Sequence, residues 1–180
     1  MAYAVELLFD EESSKLIRRF WSQLDAEGVS SHMVSSGHPP HISLAGCADL
    51  DFAQVSRIEE LCRTVNNPGP ITLSQISTFP GKEKVFFLGL TPSSELIEFH
   101  KNFHKICKDV LKEQNPHYLP ASWIPHCTLA VGLDDSQISK FFTLTRGLNL
   151  PRRVQLERLA IVEHPGGAIK DSFDLNGFEV

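Results

Sequence analysis

The sequence contains one short phrase twice, and each copy pairs a histidine with a hydroxyl residue two positions later. The first copy, PHISLA, contains His41 and Ser43, and the second copy, PHCTLA, contains His126 and Thr128. Alternate side chains of a β-strand point to the same face, so each strand would present its imidazole and its hydroxyl group together. The apolar residues that alternate with them would anchor each strand in the core.

Two imidazoles and two hydroxyl groups facing one groove suit hydrolysis or transfer at a phosphodiester. An unperturbed histidine has a pKa near ~6.5, so at physiological pH one ring can be neutral while the other is charged. The pair would then act as general base and general acid on opposite sides of one phosphorus, although the sequence does not say which histidine takes which part. The hydroxyl groups of Ser43 and Thr128 can donate hydrogen bonds to the non-bridging oxygens. This chemistry requires no metal ion.

The predicted secondary structure repeats together with the motifs. Each motif precedes a Pro-Gly turn, Pro80-Gly81 or Pro165-Gly166, by the same number of residues. This indicates a duplicated helix-strand-helix-strand-strand unit, with halves near 1–90 and 91–180, each long enough to carry its own sheet. Periodicity and turn residues predict strands at 3–9, at both motifs, and at 71–79, 84–90, 154–163 and 172–178. They predict helices between Asp10 and Gly28 and at 51–65, 94–112 and 135–143. Loops are predicted at 29–40 and 115–125.

The order of these elements predicts the fold class. Two copies of one unit are too few for a solenoid, whereas two sheets that face each other can bury the apolar face of both. We therefore expect an α+β protein with two pseudo-symmetric, antiparallel-rich sheets, a central groove between them and helices on the outside. Residues 1–180 would form a single bilobal domain.

Composition and charge limit the partners. The 180 residues include 17 basic and 22 acidic side chains, a poor match for long nucleic acid, whose binding requires neutralising many phosphates. A small nucleotide or an RNA end remains compatible with this charge. The four cysteines form no C-x-x-C pair and the N-terminus does not resemble a signal peptide, while no apolar run approaches the ~20 residues that span a bilayer. We expect a cytoplasmic monomer with reduced thiols and no membrane partner.

The paired motifs resemble those of a known family. His41-Ile42-Ser43-Leu44 and His126-Cys127-Thr128-Leu129 are similar to the two H-x-[ST]-h motifs of the 2H phosphoesterase superfamily, which includes 2′-5′ RNA ligase-like proteins and cyclic nucleotide phosphodiesterases. The resemblance implies a bilobal fold with the active site between the lobes, two catalytic histidines, phosphate binding by Ser43 and Thr128, and no metal or other cofactor. Family members act on 2′,3′-cyclic or 1″,2″-cyclic phosphates, on 2′-5′ linkages or on RNA 3′ ends, and the resemblance does not choose among these.

Four side chains outside the motifs are candidates for contacts to a base or a ribose. Phe79 and His164 precede the paired Pro-Gly turns at equivalent positions, and Tyr118 and Trp123 lie in the loop before the second motif. Aromatic side chains at such positions also serve as ordinary packing residues, so both roles stay open. His38, shortly before the first motif, is expected on a loop in solvent.

Other polar residues have simpler explanations. His100 and His104, with Cys107 beyond them, have the spacing of metal ligands on a helix, but the glutamate of H-E-x-x-H is missing. We therefore expect surface or boundary histidines and no metal site. Strand alternation directs Cys127 into the core and away from the groove. The basic residues that could reach a phosphate are expected to be mostly solvated surface charges: Lys82, Lys84, Arg152, Arg153 and Lys170.

The sequence leaves more than one function open. The leading hypothesis is a metal-independent phosphodiesterase that opens a cyclic phosphate or cleaves a small RNA-like diester. The same groove could instead hold a nucleotide or a phosphorylated RNA end without turnover, because groups that stabilise a transition state also bind a ground state. Ligation of 2′-5′ linked RNA is a variant of the enzyme hypothesis, since a ligase runs the same diester chemistry in reverse.

Overall fold

The structure is a computed structural model that describes residues 2–175. Within these residues the chain forms nine strands and five helices. The strands are β1 (Ala2–Phe9), β2 (His41–Leu50), β3 (Ile71–Phe79), β4 (Val85–Thr91), β5 (Leu111–Gln114), β6 (His126–Val131), β7 (Arg152–Val154), β8 (Leu156–His164) and β9 (Ala168–Asp174). The helices are α1 (Glu11–Ala26), α2 (His32–Ser35), α3 (Ser56–Thr64), α4 (Ser94–Ile106) and α5 (Asp135–Thr145). The strand predicted at 172–178 thus begins earlier, at Ala168, and residues 176–178 lie outside the described residues.

The strands form two antiparallel sheets, which confirms the predicted α+β class. The His41 sheet has the strand order β5-β2-β1-β8-β9, and the His126 sheet has the order β6-β4-β3-β7. Both sheets combine strands from the two halves of the chain, so the prediction that each repeat carries its own sheet is wrong. The repeating unit runs from β1 to β3 and again from β4 to β8, and the last strand of each unit pairs with the first strand of the other.

The helix predicted at 94–112 is too long. It ends at Ile106, and Leu111–Gln114 instead forms the edge strand β5, which pairs with β2. Leu111 is buried in this strand, and the backbone pairs with the edge that β2 would otherwise leave open. Tertiary pairing therefore overrides the local helical pattern, which is the usual reason that such boundaries fail.

The strand predicted at 154–163 is two strands in different sheets. The short strand β7 pairs with β3 in the His126 sheet, whereas β8 pairs with β1 in the His41 sheet. Gln155 separates the two strands, and its carbonyl oxygen accepts the N–H of Asp10. The chain therefore changes sheets within one residue, which periodicity alone does not reveal.

The second predicted helix is interrupted, and both predicted loops contain a short helical turn. Each interruption involves only a few residues, near the limit of what sequence patterns resolve. The helix predicted at 51–65 is divided into a 3₁₀ turn, Phe52–Gln54, and α3. The loop predicted at 29–40 contains α2, and the loop predicted at 115–125 contains a second 3₁₀ turn, Pro116–Tyr118.

Helix α1 illustrates how the helices attach to the sheets. Asp10 caps it as predicted, because its side chain accepts the N–H of Ser13 at 2.9 Å. Its apolar side chains enter one continuous core that includes residues of both sheets. Full burial of a large apolar side chain contributes roughly 1.5–3 kcal/mol, so this face fixes the helix in place. The buried apolar residues of α1 are Ile17, Phe20, Trp21 and Leu24.

Within residues 2–175, none of the helices has the length and the apolar character that crossing a membrane requires.

Candidate active site

The two histidine motifs open two strands that contact each other where the sheets meet. His41 is the first residue of β2 and His126 the first residue of β6, and these two strands are in contact. Along each strand the predicted alternation is observed, since the histidine and the hydroxyl residue are half-buried while their apolar neighbours are buried. Cys127 is 1% exposed, as expected for a core residue.

Both histidines are held in the same way. Nδ1 of His41 lies 2.8 Å from the carbonyl oxygen of Pro39, and Nδ1 of His126 lies 2.7 Å from that of Ile124. A carbonyl oxygen can only accept, so Nδ1 carries the hydrogen in each ring. The other nitrogen, Nε2, is therefore the one that can take or give a proton.

A cleft of about 1140 Å³ lies between the sheets. Both histidines and Thr128 line it, and a smaller adjoining cavity of about 370 Å³ is lined by Ser43 together with the same three residues. The structure thus brings all four motif side chains to the smaller cavity, which shares His41, His126 and Thr128 with the cleft. Three of the four other predicted contact residues, Phe79, Tyr118 and His164, also line the cleft.

A buried carboxylate, which the sequence analysis did not single out, lies beside His41. Glu6 on β1 is 0% exposed, and its Oε1 lies 3.5 Å from Nε2 of His41 and 3.6 Å from Nε2 of His164. Neither oxygen of Glu6 has a hydrogen-bond partner within residues 2–175. Burial alone would raise the pKa of Glu6, but the neighbouring histidines, His41 first, lower it overall. Glu6 is therefore a carboxylate that interacts with these rings through its charge.

His38 belongs to the same cluster, and the expectation that it lies in solvent is wrong. Its side chain is 9% exposed, and Nδ1 lies 4.0 Å from Oε1 of Glu6. The turn between β8 and β9 covers the ring so closely that a side chain at Gly167, where φ is +67°, would collide with it. Burial lowers the pKa of His38, and the Glu6 charge only partly opposes this.

Glu6, His38 and His164 are close enough together to hold a metal ion, since their ligand atoms lie within 4.8 Å of one another. Nε2 of His41 is nearer to Glu6 than either of the other two rings. An ion bound to Glu6 would therefore compete with His41 for the carboxylate. A metal centre and a proton-transferring His41 are thus alternatives at this position, and experiment can separate them.

The surroundings of His126 are aromatic. Phe79 meets the ring edge-on at a centroid distance of 4.9 Å, and Phe87 lies at the same distance. The two phenylalanines also pack against each other at 4.4 Å. Burial lowers the pKa of His126, because an apolar enclosure disfavours the charged ring.

Tyr118 and Trp123 were predicted to be similar candidates, but of the two only Tyr118 is among the described residues that line the cleft. Tyr118 lines the smaller cavity together with Ser43, and burial raises the pKa of its hydroxyl group. The indole of Trp123 instead stacks on His100 at a centroid distance of 3.8 Å. Among the described residues, Trp123 does not appear in the lining of the cleft, so it supports β2 from behind.

The expectation of a surface or boundary pair at His100 and His104 is wrong for His100. His100 is 2% exposed, and Nε2 of both rings lies 3.1 Å from the carbonyl oxygen of Leu44 on the first motif strand. Burial lowers the pKa of His100 to about 4. These histidines are therefore neutral supports of β2.

The basic residues lie outside the described lining of both cavities. None of the lining residues that the structure describes for either cavity is a lysine or an arginine. Lys84 pairs with Asp135 at 3.4 Å, and Lys170 pairs with Glu163. Among the lining residues that the structure describes, only the imidazoles can carry a positive charge.

Glu6 and Phe87 are the residues that sequence reasoning missed. A single glutamate inside the apolar strand YAVELLF was a usable signal, because an ionisable residue in a buried strand needs a partner. Phe87 gave no such signal, since a phenylalanine in a buried strand is ordinary.

Comparisons with known structures agree with this fold. Structures with the same fold include TT0787 of Thermus thermophilus, with a TM-score of 0.58 and 14% identity over 98% of this chain and 99% of that chain. Escherichia coli LigT complexed with 3′-AMP has a TM-score of 0.57 and 12% identity, over 97% of this chain and 96% of that chain. Kluyveromyces marxianus Usb1 with uridine monophosphate has a TM-score of 0.53 and 14% identity, over 96% of this chain and 97% of that chain. At these identities the likeness concerns the fold alone.

The family assignment rests on the sequence. None of the curated proteins matches the chain at a significant level. The model of the 2′-5′ RNA ligase superfamily, however, matches residues 9–168, a span that contains both histidine motifs and most of both sheets. The chain therefore belongs to the 2′-5′ RNA ligase superfamily, the 2H phosphoesterases.

Proposed function

We propose that this protein is a metal-independent phosphodiesterase that uses His41 and His126 as a general acid–base pair on a nucleotide. The observation that carries the proposal is the matched arrangement of the two rings, each with Nδ1 held by a backbone carbonyl and both lining one cleft. Such a pair can remove a proton from the nucleophile and supply one to the leaving oxygen. Membership of a superfamily of phosphoesterases and ligases supports the same chemistry.

Ser43 and Thr128 would bind the phosphate. Their hydroxyl groups share the histidine faces of β2 and β6 and can donate to the non-bridging oxygens, where charge increases in the transition state. Tyr118 lines the smaller cavity beside Ser43 and can contact the same substrate. The two strands therefore supply the phosphate contacts and the proton-transferring groups together.

The cleft favours a small substrate. A volume of about 1140 Å³ is ample for one or two nucleosides, and Phe79 and Tyr118 offer aromatic surfaces to a base or a ribose. The scarcity of basic residues in the lining argues against long RNA, because each phosphate contact would need a positive partner. We therefore favour a 2′,3′-cyclic or 1″,2″-cyclic phosphate, or a short 2′-5′ or 3′-terminal diester. The nucleotides named with LigT and Usb1 support this substrate class.

Two other functions use the same groups. A module that holds a nucleotide or an RNA end without turnover needs the same cleft, and the superfamily name makes 2′-5′ ligation the natural reverse reaction. A panel of 2′,3′-cyclic AMP, 2′-5′ diadenylate and ADP-ribose 1″,2″-cyclic phosphate, with product analysis in the presence of EDTA, distinguishes them. We expect hydrolysis of at least one compound, with a bell-shaped pH dependence of kcat/KM. Saturable binding without product across the panel would overturn the proposal and favour the binding module.

A further inference from the structure

Glu6, His38 and His164, which we call the Glu6 cluster, form a group that the proposed reaction does not use. They come from three separate segments of the chain. Glu6 lies in the middle of β1, His38 in the loop before β2, and His164 at the end of β8. Each residue offers one ligand atom, and these three atoms lie within 4.8 Å of one another. The fold therefore brings together three possible metal ligands that are far apart in sequence.

The polar atoms of the Glu6 cluster lack hydrogen-bond partners. Glu6 is 0% exposed, and neither of its carboxylate oxygens has such a partner among the described residues. Nδ1 of His38 is likewise buried and has no hydrogen-bond partner within residues 2–175. A buried carboxylate is costly unless a hydrogen bond, an opposite charge or a metal ion compensates it. A bound cation would compensate the carboxylate and use the free ring nitrogen at the same time.

The distances in the cluster are close to the spacing of ligands around one ion. Oε1 of Glu6 lies 3.6 Å from Nε2 of His164 and 4.0 Å from Nδ1 of His38. Both contacts are too long for hydrogen bonds. Zinc binds oxygen and imidazole nitrogen at about 2.0–2.2 Å in a tetrahedron, which places neighbouring ligand atoms roughly 3.3–3.5 Å apart. Small movements of the side chains would bring the three atoms to this spacing.

The turn between β8 and β9 holds the two histidines of the cluster beside each other. The ring centroids of His38 and His164 are 4.5 Å apart, and the ring planes are inclined at 32°. Gly167 in this turn has a φ of +67°, and a Cβ atom there would lie 2.6 Å from Cδ2 of His38. The glycine thus lets the turn that begins after His164 pack directly on His38. A site whose ligands are already held together loses less conformational freedom when it binds.

The ligand types favour a first-row transition metal ion. Two imidazoles and one carboxylate suit an ion such as Zn²⁺, whereas Mg²⁺ and Ca²⁺ prefer sites made of oxygen atoms. An ion can reach the cluster from solvent, because His38 and His164 line the cleft while Glu6 lines the smaller cavity. Three protein ligands leave the fourth position of a tetrahedral ion for another group.

His41 is the ring best placed to fill that fourth position. Its Nε2 lies 3.5 Å from Oε1 of Glu6, closer than the nitrogen of either histidine in the cluster. Because Nδ1 of His41 is held by a backbone carbonyl, Nε2 is the nitrogen that can offer a lone pair to a metal ion. A nitrogen that binds a metal ion can neither take nor give a proton. An ion in the Glu6 cluster would therefore withdraw His41 from proton transfer.

We propose that the Glu6 cluster binds a divalent transition-metal ion, such as Zn²⁺, and that the bound ion inhibits the protein by coordinating His41. The metal site goes beyond the proposed function, and only the inhibition rests on it. The metal-free protein is the active form, which agrees with a reaction that needs no metal ion. The cluster would make this activity respond to the supply of such ions.

Metal binding in the absence of substrate tests the site. The protein is stripped with EDTA, transferred to metal-free buffer and dialysed against Zn²⁺, Co²⁺ or Mg²⁺. We expect one Zn²⁺ or one Co²⁺ per chain, with the visible absorption of Co²⁺ in a site of low coordination number, and no retained Mg²⁺. The loss of an outer-shell partner lowers metal affinity ~10–100-fold, so Glu6→Gln and His38→Gln, which remove direct ligands, should each lower it at least as much.

A matched control and a folding test accompany these variants. His117→Gln removes an exposed histidine from the lining of the same cleft and should bind Zn²⁺ with the affinity of the wild-type protein. Thermal unfolding of each variant confirms that it is folded. The stoichiometry of the wild-type protein does not depend on any variant.

Activity at increasing Zn²⁺ concentration tests the inhibition. With a panel compound that the metal-free protein hydrolyses, activity should fall with the same midpoint as Zn²⁺ binding, and EDTA should restore it. His38→Gln leaves His41 in place but weakens the site, so its inhibition should require at least tenfold more Zn²⁺, or roughly the change in its measured affinity.

Two kinds of result would overturn the inference. If neither Zn²⁺ nor Co²⁺ binds stoichiometrically, or if folded Glu6→Gln and His38→Gln bind as tightly as the wild-type protein, the cluster is not a metal site. If the Zn²⁺-loaded protein is as active as the metal-free protein, or more active, the inhibition is refuted. If the protein hydrolyses nothing in the panel, the proposed function and the inhibition fail together, while dialysis still decides whether the metal site exists.

Discussion

Trp123 donates its indole N–H to the carbonyl oxygen of Ser43 at 2.9 Å. The other lobe contains the same contact, since Trp21 donates to the carbonyl oxygen of Thr128 at 3.1 Å. Each indole thus holds the backbone of one proposed phosphate-binding residue from behind. Together with His100 and His104 on the Leu44 carbonyl, these bonds satisfy backbone carbonyls of the two motif strands.

Removing one indole donor should destabilise the fold and disturb the site. Trp123→Phe leaves the Ser43 carbonyl without its partner, and an unsatisfied buried acceptor costs about 1–3 kcal/mol. Urea unfolding should show a loss of this size, and Trp21→Phe should behave alike. Unchanged stability in both variants would mean that these bonds contribute nothing.

Either histidine of the proposed pair should be indispensable for turnover. General acid–base catalysis contributes roughly 10² to 10⁴ in rate, so His41→Ala and His126→Ala should each lose activity on that scale with a ribose leaving group. His32→Ala, at the rim of the same cleft, should lose far less. Full activity in either motif variant would refute the role of that histidine.

The hydroxyl groups of the motifs should matter individually. Thr128→Val keeps the shape of the side chain but removes the donor, and the loss of one such donor costs about 10²–10³ in kcat in well-studied cases. Thr128→Ser retains the hydroxyl group and should stay near wild type. Steady-state kinetics of both variants, with Ser43→Ala and Ser43→Thr beside them, checks this. Equal kinetics in Thr128→Val and Thr128→Ser would contradict phosphate binding by the hydroxyl group.

We expect the free energy of unfolding to decrease as the pH falls. His100 has a folded-state pKa of about 4 against 6.5 for an unperturbed ring. The unfolded state therefore takes up a proton first as the pH falls, and the contribution of His100 is fully present above the unfolded pKa and is lost toward the folded one. This loss is about 3 kcal/mol at most. His38, His104 and His126 have pKa shifts of the same direction and add to it.

Urea unfolding at several pH values measures this dependence. His100→Gln, which still carries an N–H donor toward Leu44, should give a flatter curve in the acidic range than the wild-type protein. A free energy of unfolding that stays constant or increases as the pH falls would contradict the assignment of neutral, buried histidines.

The sequence predicted the parts of the site that local pattern controls. Alternation along β2 and β6 placed His41 with Ser43 and His126 with Thr128, and placed Cys127 in the core, because strand geometry alone decides which side a residue takes. The exchange of strands between the repeats was not predictable, since pairing of β8 with β1 depends on contacts across most of the chain.

The cluster around Glu6 was likewise not predictable from sequence patterns. His38 looks like a loop residue in sequence, and only the turn at Gly167, brought over it by the fold, buries its ring. Glu6 pairs with Ser43 and Phe87 pairs with Thr128, and these equivalent positions emerge only from the register of each strand with its motif partner. Chemistry that depends on residues from several strands therefore requires the structure.

The central claim is that the rings of His41 and His126 act on one phosphate, and NMR of the ¹⁵N-labelled imidazoles tests it most directly. Titration with a nucleoside 2′-monophosphate should move the Nε2 resonances of both rings along one saturation curve, while those of His100, behind the strand, stay in place. A shift confined to one of the two rings, or two curves with different midpoints, would contradict the account.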